Sequence, residues 1–246
     1  MAVEISEEAA AQLETLAIRR GTYTLEPLSR VQKFIAARLT EAARDIPVFP
    51  LSMDIAVDAL LALRARYNEA NGAHISLNDL MIKASALALA EVPALNSSYT
   101  PLGLVRHRHA DIAVAVATDS GLMTPIIFAA GEKGIARISA EMRDLGIRAR
   151  AQRLKPDEYV GGTFSISNLG MFGIKSFASI INPPHAAILS IGAATSSMVV
   201  ESGQMRSVAL INVTLTCDHR VIDGVTGANW LNAFRRILER PDPLVS

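Results

Sequence analysis

Apolar residues recur at helical spacing through much of the chain and alternate with hydroxyls where that spacing stops. Over residues 5–20, Ile5, Ala9, Leu13, Leu16 and Ala17 fall on one helical face, and Gly21 breaks the pattern. Ser29 is placed to cap a second helix running to about Arg44, with Val31, Phe34, Ile35, Ala36 and Leu39 inward. Pro47 and Pro50 flank the start of a strand over residues 49–55, and a helix is expected over 57–71. Ser76-Leu77-Asn78-Asp79 is a Ser-x-x-Asp variant of the capping box, so the side chains at its two ends satisfy backbone N–H groups of the first turn. The helix it opens runs through Ala90 and is apolar nearly all round, which marks a buried central helix; Pro93 ends it.

The second half alternates more. Residues 111–117 are expected as a strand, Asp119-Ser120-Gly121 as a turn, and 122–128 as a second strand interrupted by Pro125. Residues 134–154 have the spacing of a long amphipathic helix rich in Arg and Glu. Strands are expected over 163–167, 186–191, 197–201 and 207–216, and a last helix over 226–240, with Trp230, Leu231, Phe234, Ile237 and Leu238 inward. There is no internal repeat, low-complexity tract or Pro/Ala-rich linker. Strands and helices mix without strict alternation, which predicts an α+β fold on a mixed sheet flanked by helices.

Composition narrows the classes. The 246 residues are half hydrophobic and carry 24 Lys and Arg against 24 Asp and Glu. That length suits one large domain or two small ones. Neutrality excludes nucleic acid as the main partner, because phosphate binding needs a basic surplus. It favours burial of surface in an oligomer, since a neutral, apolar-rich monomer dissolves poorly. The single cysteine, Cys217, leaves no disulfide within the chain and no thiolate metal cluster. The acidic start lacks an apolar signal core, and no apolar run reaches membrane-spanning length. The expectation is a cytoplasmic protein with no metal, no membrane and no nucleic acid.

Two segments carry candidate chemistry. Cys217-Asp218-His219-Arg220-Val221-Ile222-Asp223-Gly224 places a histidine after a β-branched strand and before the last helix. Imidazole titrates near neutrality, so His219 can take and return a proton when rigid elements hold it on both sides. Read blandly, Asp218 and Asp223 are turn and helix-start residues and His219 is a loop residue. Residues 161–170, Gly-Gly-Thr-Phe-Ser-Ile-Ser-Asn-Leu-Gly, put Thr163, Ser165 and Ser167 on one strand face and Phe164 and Ile166 on the other. That strand is either an edge with a solvated face or the carrier of an oxyanion donor at Ser167.

The His-x-x-x-Asp-Gly string resembles the active-site motif of the dihydrolipoamide acyltransferases of 2-oxo acid dehydrogenase complexes, whose fold and motif chloramphenicol acetyltransferase shares. Four more segments resemble the same family in the same order: Leu77 to Ala84, Gly121 to Ile127, Thr163 to Gly173 and Asn182 to Leu189. The resemblance covers Ser29 to the C-terminus. It divides the chain into a helical extension, residues 1–28, and a catalytic domain, residues 29–246, with the chloramphenicol acetyltransferase-like fold. The implied reaction moves an acyl group, acetyl first among the candidates, between a dihydrolipoyl thiol and coenzyme A. In that reading His219 is the general base, Ser167 stabilises the oxyanion and Asp223 supports the loop, paired with Arg38 or Arg220.

The family also implies a homotrimer with its sites between subunits, and in some members a larger core. Leu244 and Val245 are then candidates to dock on a neighbour. Partners would be a lipoyl carrier on another domain or chain and the other 2-oxo acid dehydrogenase components. Two departures stand out. No lipoyl domain precedes the matched segment, which reads as an excised core or a free-standing enzyme. Val48 stands where the family commonly has His. A CoA-dependent enzyme with a small-molecule acceptor, and a non-catalytic scaffold, are the competing readings. His107 and His109 are expected in a solvated turn or near the CoA phosphates, His185 as structural and His74 as a surface residue.

Overall fold

A computed structural model describes residues 6–118, 121–201 and 203–245. The chain divides into two compact units, residues 1–38 and 39–246. The described residues form six α-helices: α1 Glu7–Thr15, α2 Arg30–Asp45, α3 Asp58–Asn71, α4 Leu77–Glu91, α5 Ile135–Arg150 and α6 Gly224–Glu239. The strands are β1 Val48–Ala56, β2 Ser97–Thr100, β3 Gly103–Arg106, β4 Ile112–Val114, β5 Val116–Thr118, β6 Gly121–Met123, β7 Ile126–Ile127, β8 Phe164–Asn168, β9 Ala187–Glu201 and β10 Gln204–Asp218. In the first unit, Ser6 caps α1 by accepting from the Ala9 N–H. The helix stops well short of the expected end, and Ala17 takes a left-handed φ of 61° after it. Ser29 accepts from the Gln32 N–H at 3.1 Å while Gln32 accepts from the Ser29 N–H at 2.8 Å, a reciprocal cap that starts α2 as its sequence predicts.

In the second unit a six-stranded mixed sheet has the order β1-β10-β9-β8-β4-β7. β8 runs parallel to both neighbours, and the other pairings are antiparallel. The pleat sorts side chains by face. Phe164, Ile166, Leu189, Ile191, Val213, Leu215 and Cys217 face one side, where they are fully buried in the main core. On the other side, register aligns Ser52, Thr214, Ser190 and Ser167 in one row across four strands. A small apolar cluster of Ala42, Ile46, Ile181 and Ile188 also forms there.

The central helix is α4, with both halves of its capping box made. Leu80, Met81, Ile82, Ala84, Ala86 and Ala88 are all completely buried, as expected of a helix apolar all round. Lys83 sits among them and donates to the carbonyls of Gly131 and Lys133, both at 2.8 Å. Burial lowers its pKa. α6 brings Trp230 onto Phe234, ring centroids 5.1 Å apart and stacked, and onto Phe164 of β8 at 5.1 Å. Burying each such ring contributes about 2–3 kcal/mol. This contact fastens the helix after the His219 loop to the strand that carries Ser167.

Several expectations are corrected. Residues 111–117 form two short strands, because Ala115 leaves the β4 line to donate to the Ile166 carbonyl. Pro125 similarly separates β6 from β7. Residues 187–191 and 197–201 belong to one strand, β9, which continues through a register shift against β10 where Gly192 and Ala193 stand opposite Asn212. The β2–β3 hairpin was not expected at all. α5 ends at Arg150, short of residue 154, and α6 begins at Gly224. Of the predicted turn at 119–121, Asp119 and Ser120 lie outside the described residues. Leu244 is completely buried in its own chain's core, so it does not project to dock on a neighbour.

Candidate active site

His219 is the first residue beyond β10. Its N–H donates to the Pro47 carbonyl at 2.9 Å, which continues the ladder to β1 by one step. The turn then closes on Asp218, whose carbonyl accepts from the N–H groups of Val221 and Ile222 at 3.0 and 2.9 Å. Ile222 is fully buried and plugs the loop into the core. The imidazole is exposed and lies against the Phe49 ring, 4.6 Å between centroids and tilted by 47°. The backbone is thus fixed while the ring stays open to solvent, the combination a proton-transferring group requires.

Asp223 does not pair with Arg220. It caps α6, accepting from the Thr226 N–H at 2.7 Å. That bond holds its carboxyl below the usual range, with a smaller contribution from His219. Arg220 instead folds back on Asp218, Nη2 to Oδ2 at 2.8 Å. Both aspartates therefore do the turn and cap work of the bland reading while fixing the loop around His219. Val48 is 48% exposed and opposite Asp218 in the β1–β10 register. Cys217 is fully buried, and burial pushes its thiol up to about 12, so it stays a protonated core side chain rather than a nucleophile.

The Thr163–Ser167 face resolves into three different uses. β8 is an inner strand between β4 and β9, not an edge. The Thr163 hydroxyl accepts from the Asp111 N–H at 3.1 Å. Ser165 lies 2.6 Å from His185 Nδ1, and His185 Nε2 lies 2.8 Å from the Gly161 carbonyl. A carbonyl only accepts, so Nε2 carries the proton and Ser165 donates to Nδ1. His185 is structural, as expected. Ser167 is half-buried, and its hydroxyl makes no hydrogen bond among the described residues. The next residue, Asn168, anchors the strand end: its Oδ1 accepts from the Gly170 N–H at 2.8 Å, and its Nδ2 reaches Asn78 Oδ1 on α4 at 3.5 Å. Asn168 is not among the candidate residues of the sequence pattern, although an Asn two residues before a Gly is a turn signal.

Two of the three remaining histidines are tied down locally. His107 Nε2 is 2.8 Å from the Ser98 hydroxyl, with its pKa lowered by burial, and His109 Nδ1 is 2.6 Å from Glu132. His74 is exposed.

One chain does not bring Ser167 and His219 together. Ser167 pairs with Ser190, and Ser190 with Thr214, two strands away. His219 lies five residues beyond Thr214 and on the opposite pleat face, against Phe49. Strand spacing and rise put the two residues roughly 19 Å apart.

The family of 2-oxoacid dehydrogenases acyltransferase (catalytic domain) matches residues 20–246. The chain belongs to this family. It is 46% identical over 248 residues to the dihydrolipoyllysine-residue acetyltransferase component of the pyruvate dehydrogenase complex of Rhizobium meliloti (strain 1021), covering 98% of this chain and 55% of that protein. The chain spans about half the length of the curated relatives it matches.

Among solved structures, the Azotobacter vinelandii dihydrolipoamide acetyltransferase superposes with a TM-score of 0.87 at 29% identity, over 92% of this chain and 96% of that one. That structure comes from crystallographic and enzymatic investigations of a serine, a histidine and an asparagine in its catalytic mechanism. The cubic core of the pyruvate dehydrogenase multienzyme complex gives a TM-score of 0.87 at 28% identity, with 92% and 96% covered. A chloramphenicol acetyltransferase shares the fold, with a TM-score of 0.55 at 14% identity over 82% of this chain and 94% of that one. The α+β expectation and the family resemblance therefore both hold.

Proposed function

We propose that this chain transfers an acyl group, acetyl in the first instance, between a dihydrolipoyl thiol and coenzyme A. The observation that carries the reading is His219, held by backbone on β10 and α6 with its ring exposed, in a chain that also offers an unbonded Ser167 hydroxyl. Spacing supports the pair. The serine and histidine studied in the Azotobacter vinelandii enzyme are 52 residues apart and its asparagine lies 4 further on; Ser167, His219 and Asp223 repeat both intervals. Aspartate here stands where that enzyme has asparagine.

A thiol near the reference cysteine pKa is mostly protonated at neutral pH. His219 takes the proton of the attacking thiol as its sulfur bonds to the thioester carbon. Charge then collects on the carbonyl oxygen, where a Ser167 hydroxyl donates, an effect worth about 3 kcal/mol of barrier. Collapse breaks the second carbon–sulfur bond, and the imidazolium returns its proton to the departing thiolate. Asp223 holds the start of α6 and so the far end of the loop. Residues 29–246 form the catalytic domain in this reading, with 1–28 as an extension and the lipoyl group supplied by another domain or chain.

The separation of Ser167 from His219 supports a site completed by a second copy, with His219 from one subunit and Ser167 from the next in a closed homotrimer. The direct test is acetyl transfer from acetyl-CoA to free dihydrolipoamide by wild type and His219→Ala. Turnover that disappears in the variant is expected; equal turnover in the two proteins would sink the assignment.

A further inference from the structure

The loop that carries His219 is braced from outside its own two elements. Asp218 is 2% exposed. Its Oδ1 accepts from the Arg220 N–H at 2.9 Å, and its carboxylate takes the guanidinium through Nε at 3.0 and 3.2 Å and through Nη2 at 2.8 Å. The same guanidinium carbon lies 4.1 Å from the centre of the Tyr99 ring. Tyr99 is in β2, part of a two-stranded ribbon separate from the main sheet. A planar cation is therefore held between a buried carboxylate and an aromatic face, one residue after the candidate base. Asp45, at the end of α2, adds a weaker attraction to the dominant one from Asp218, and Arg220 is held firmly charged. Guanidinium suits this place because it can fork onto a carboxylate and stack on a ring at once, which an ammonium cannot.

We propose that Tyr99 is a positioning residue for His219: by stacking on Arg220 from the β2–β3 hairpin, it fixes the 218–222 turn and with it the direction of the imidazole. Without the ring, Arg220 keeps its carboxylate but gains freedom to swing, and the turn whose N–H it shares swings with it. The inference rests on the reading of His219 as the base, so its test includes a measurement independent of turnover.

Tyr99→Leu and Tyr99→Phe are compared with wild type in two ways. The first is amide hydrogen exchange over residues 217–223, where the N–H groups of Arg220, Val221 and Ile222 all bond to Asp218. The second is acetyl transfer with kcat and KM resolved. Tyr99→Leu is expected to speed exchange in that segment and to lower kcat about tenfold, with KM for acetyl-CoA and for dihydrolipoamide within about twofold. Tyr99→Phe, which keeps the ring, is expected to match wild type in both. Unchanged exchange in Tyr99→Leu, a loss confined to KM, or a Phe variant as impaired as the Leu variant would each overturn the proposal. Arg220→Lys, which keeps the charge and loses the planar stack, is expected to behave as Tyr99→Leu does and serves if that variant fails to fold. If wild type transfers no acetyl group, the base assignment fails, and the exchange comparison still decides whether Tyr99 holds the turn.

Discussion

Ser167 shows how little separates a structural hydroxyl from a chemical one. It shares a strand face with Thr163 and Ser165, and those two are committed to Asp111 and His185. Ser167 differs by standing at the strand end, unbonded among the described residues, with Asn168 anchoring the turn after it. If it stabilises the oxyanion, Ser167→Ala should lower kcat by about 10²-fold, because one missing donor in such a site has that cost. Ser165→Ala offers a contrast: it leaves a buried imidazole nitrogen without its donor, so its loss should be read in stability. Steady-state kinetics beside thermal unfolding of the two variants separates the roles. A kcat unchanged in Ser167→Ala would remove it from the site. The His219 motif was fully legible from sequence, since its spacing is local. The partner of Asp223 was not, because Arg220 and a helix end competed for one carboxylate and only folding showed that Arg220 turns to Asp218 while Asp223 caps the helix.

Elements are joined to the site by a few close contacts. At Gly192 in β9 an added Cβ would run into the Lys175 carbonyl oxygen, so the segment after Ser167 lies directly on that strand's backbone. At the other approach to β8, Arg148 near the end of α5 bonds Glu158 at 2.6 Å and ties the helix to the loop that leads into the Ser strand. Glu158 also accepts from the Lys155 N–H at 2.8 Å. Together these hold its carboxyl down to about 2 against an ordinary 4.5. A carboxylate with a lowered folded-state pKa stabilises fully above its ordinary value, and that contribution is lost as pH falls toward the folded one. The stability gap between wild type and Glu158→Gln should therefore be largest near neutrality and shrink between about pH 4.5 and 2. Urea midpoints at pH 6 and pH 3 measure it; a gap that grows on acidification would contradict the pairing. Helices were read closely because caps and apolar spacing are encoded within each segment. β9 spans two expected strands because the Gly192–Ala193 register shift against β10 breaks the alternation between them without ending the pairing.

For the assembled molecule, the proposed reading calls for a shared site. Ser167 and His219 lie on opposite faces of one sheet, roughly 19 Å apart, a gap that no side-chain rotation closes. Mixing His219→Ala subunits with Ser167→Ala subunits tests this. In a closed trimer with sites at the three interfaces, random mixing should restore about a quarter of wild-type activity, since each mixed ring rebuilds one intact site. Activity that stays at the sum of the two variants would mean that each chain carries its own complete site.

The division between local and distant information follows from where the restraints sit. Caps, apolar periodicity and the His-x-x-x-Asp-Gly spacing are properties of a few consecutive residues, so the order of the main helices, the mixed sheet and the candidate base could be read from the chain alone. The buried Leu244, the stacking of Tyr99 on Arg220 and the distance between Ser167 and His219 depend on pairings between residues far apart in the chain. No local pattern specifies which carboxylate an arginine will take or which face of a sheet a loop residue will reach. Packing of the sheet against α4 and α6 settles both.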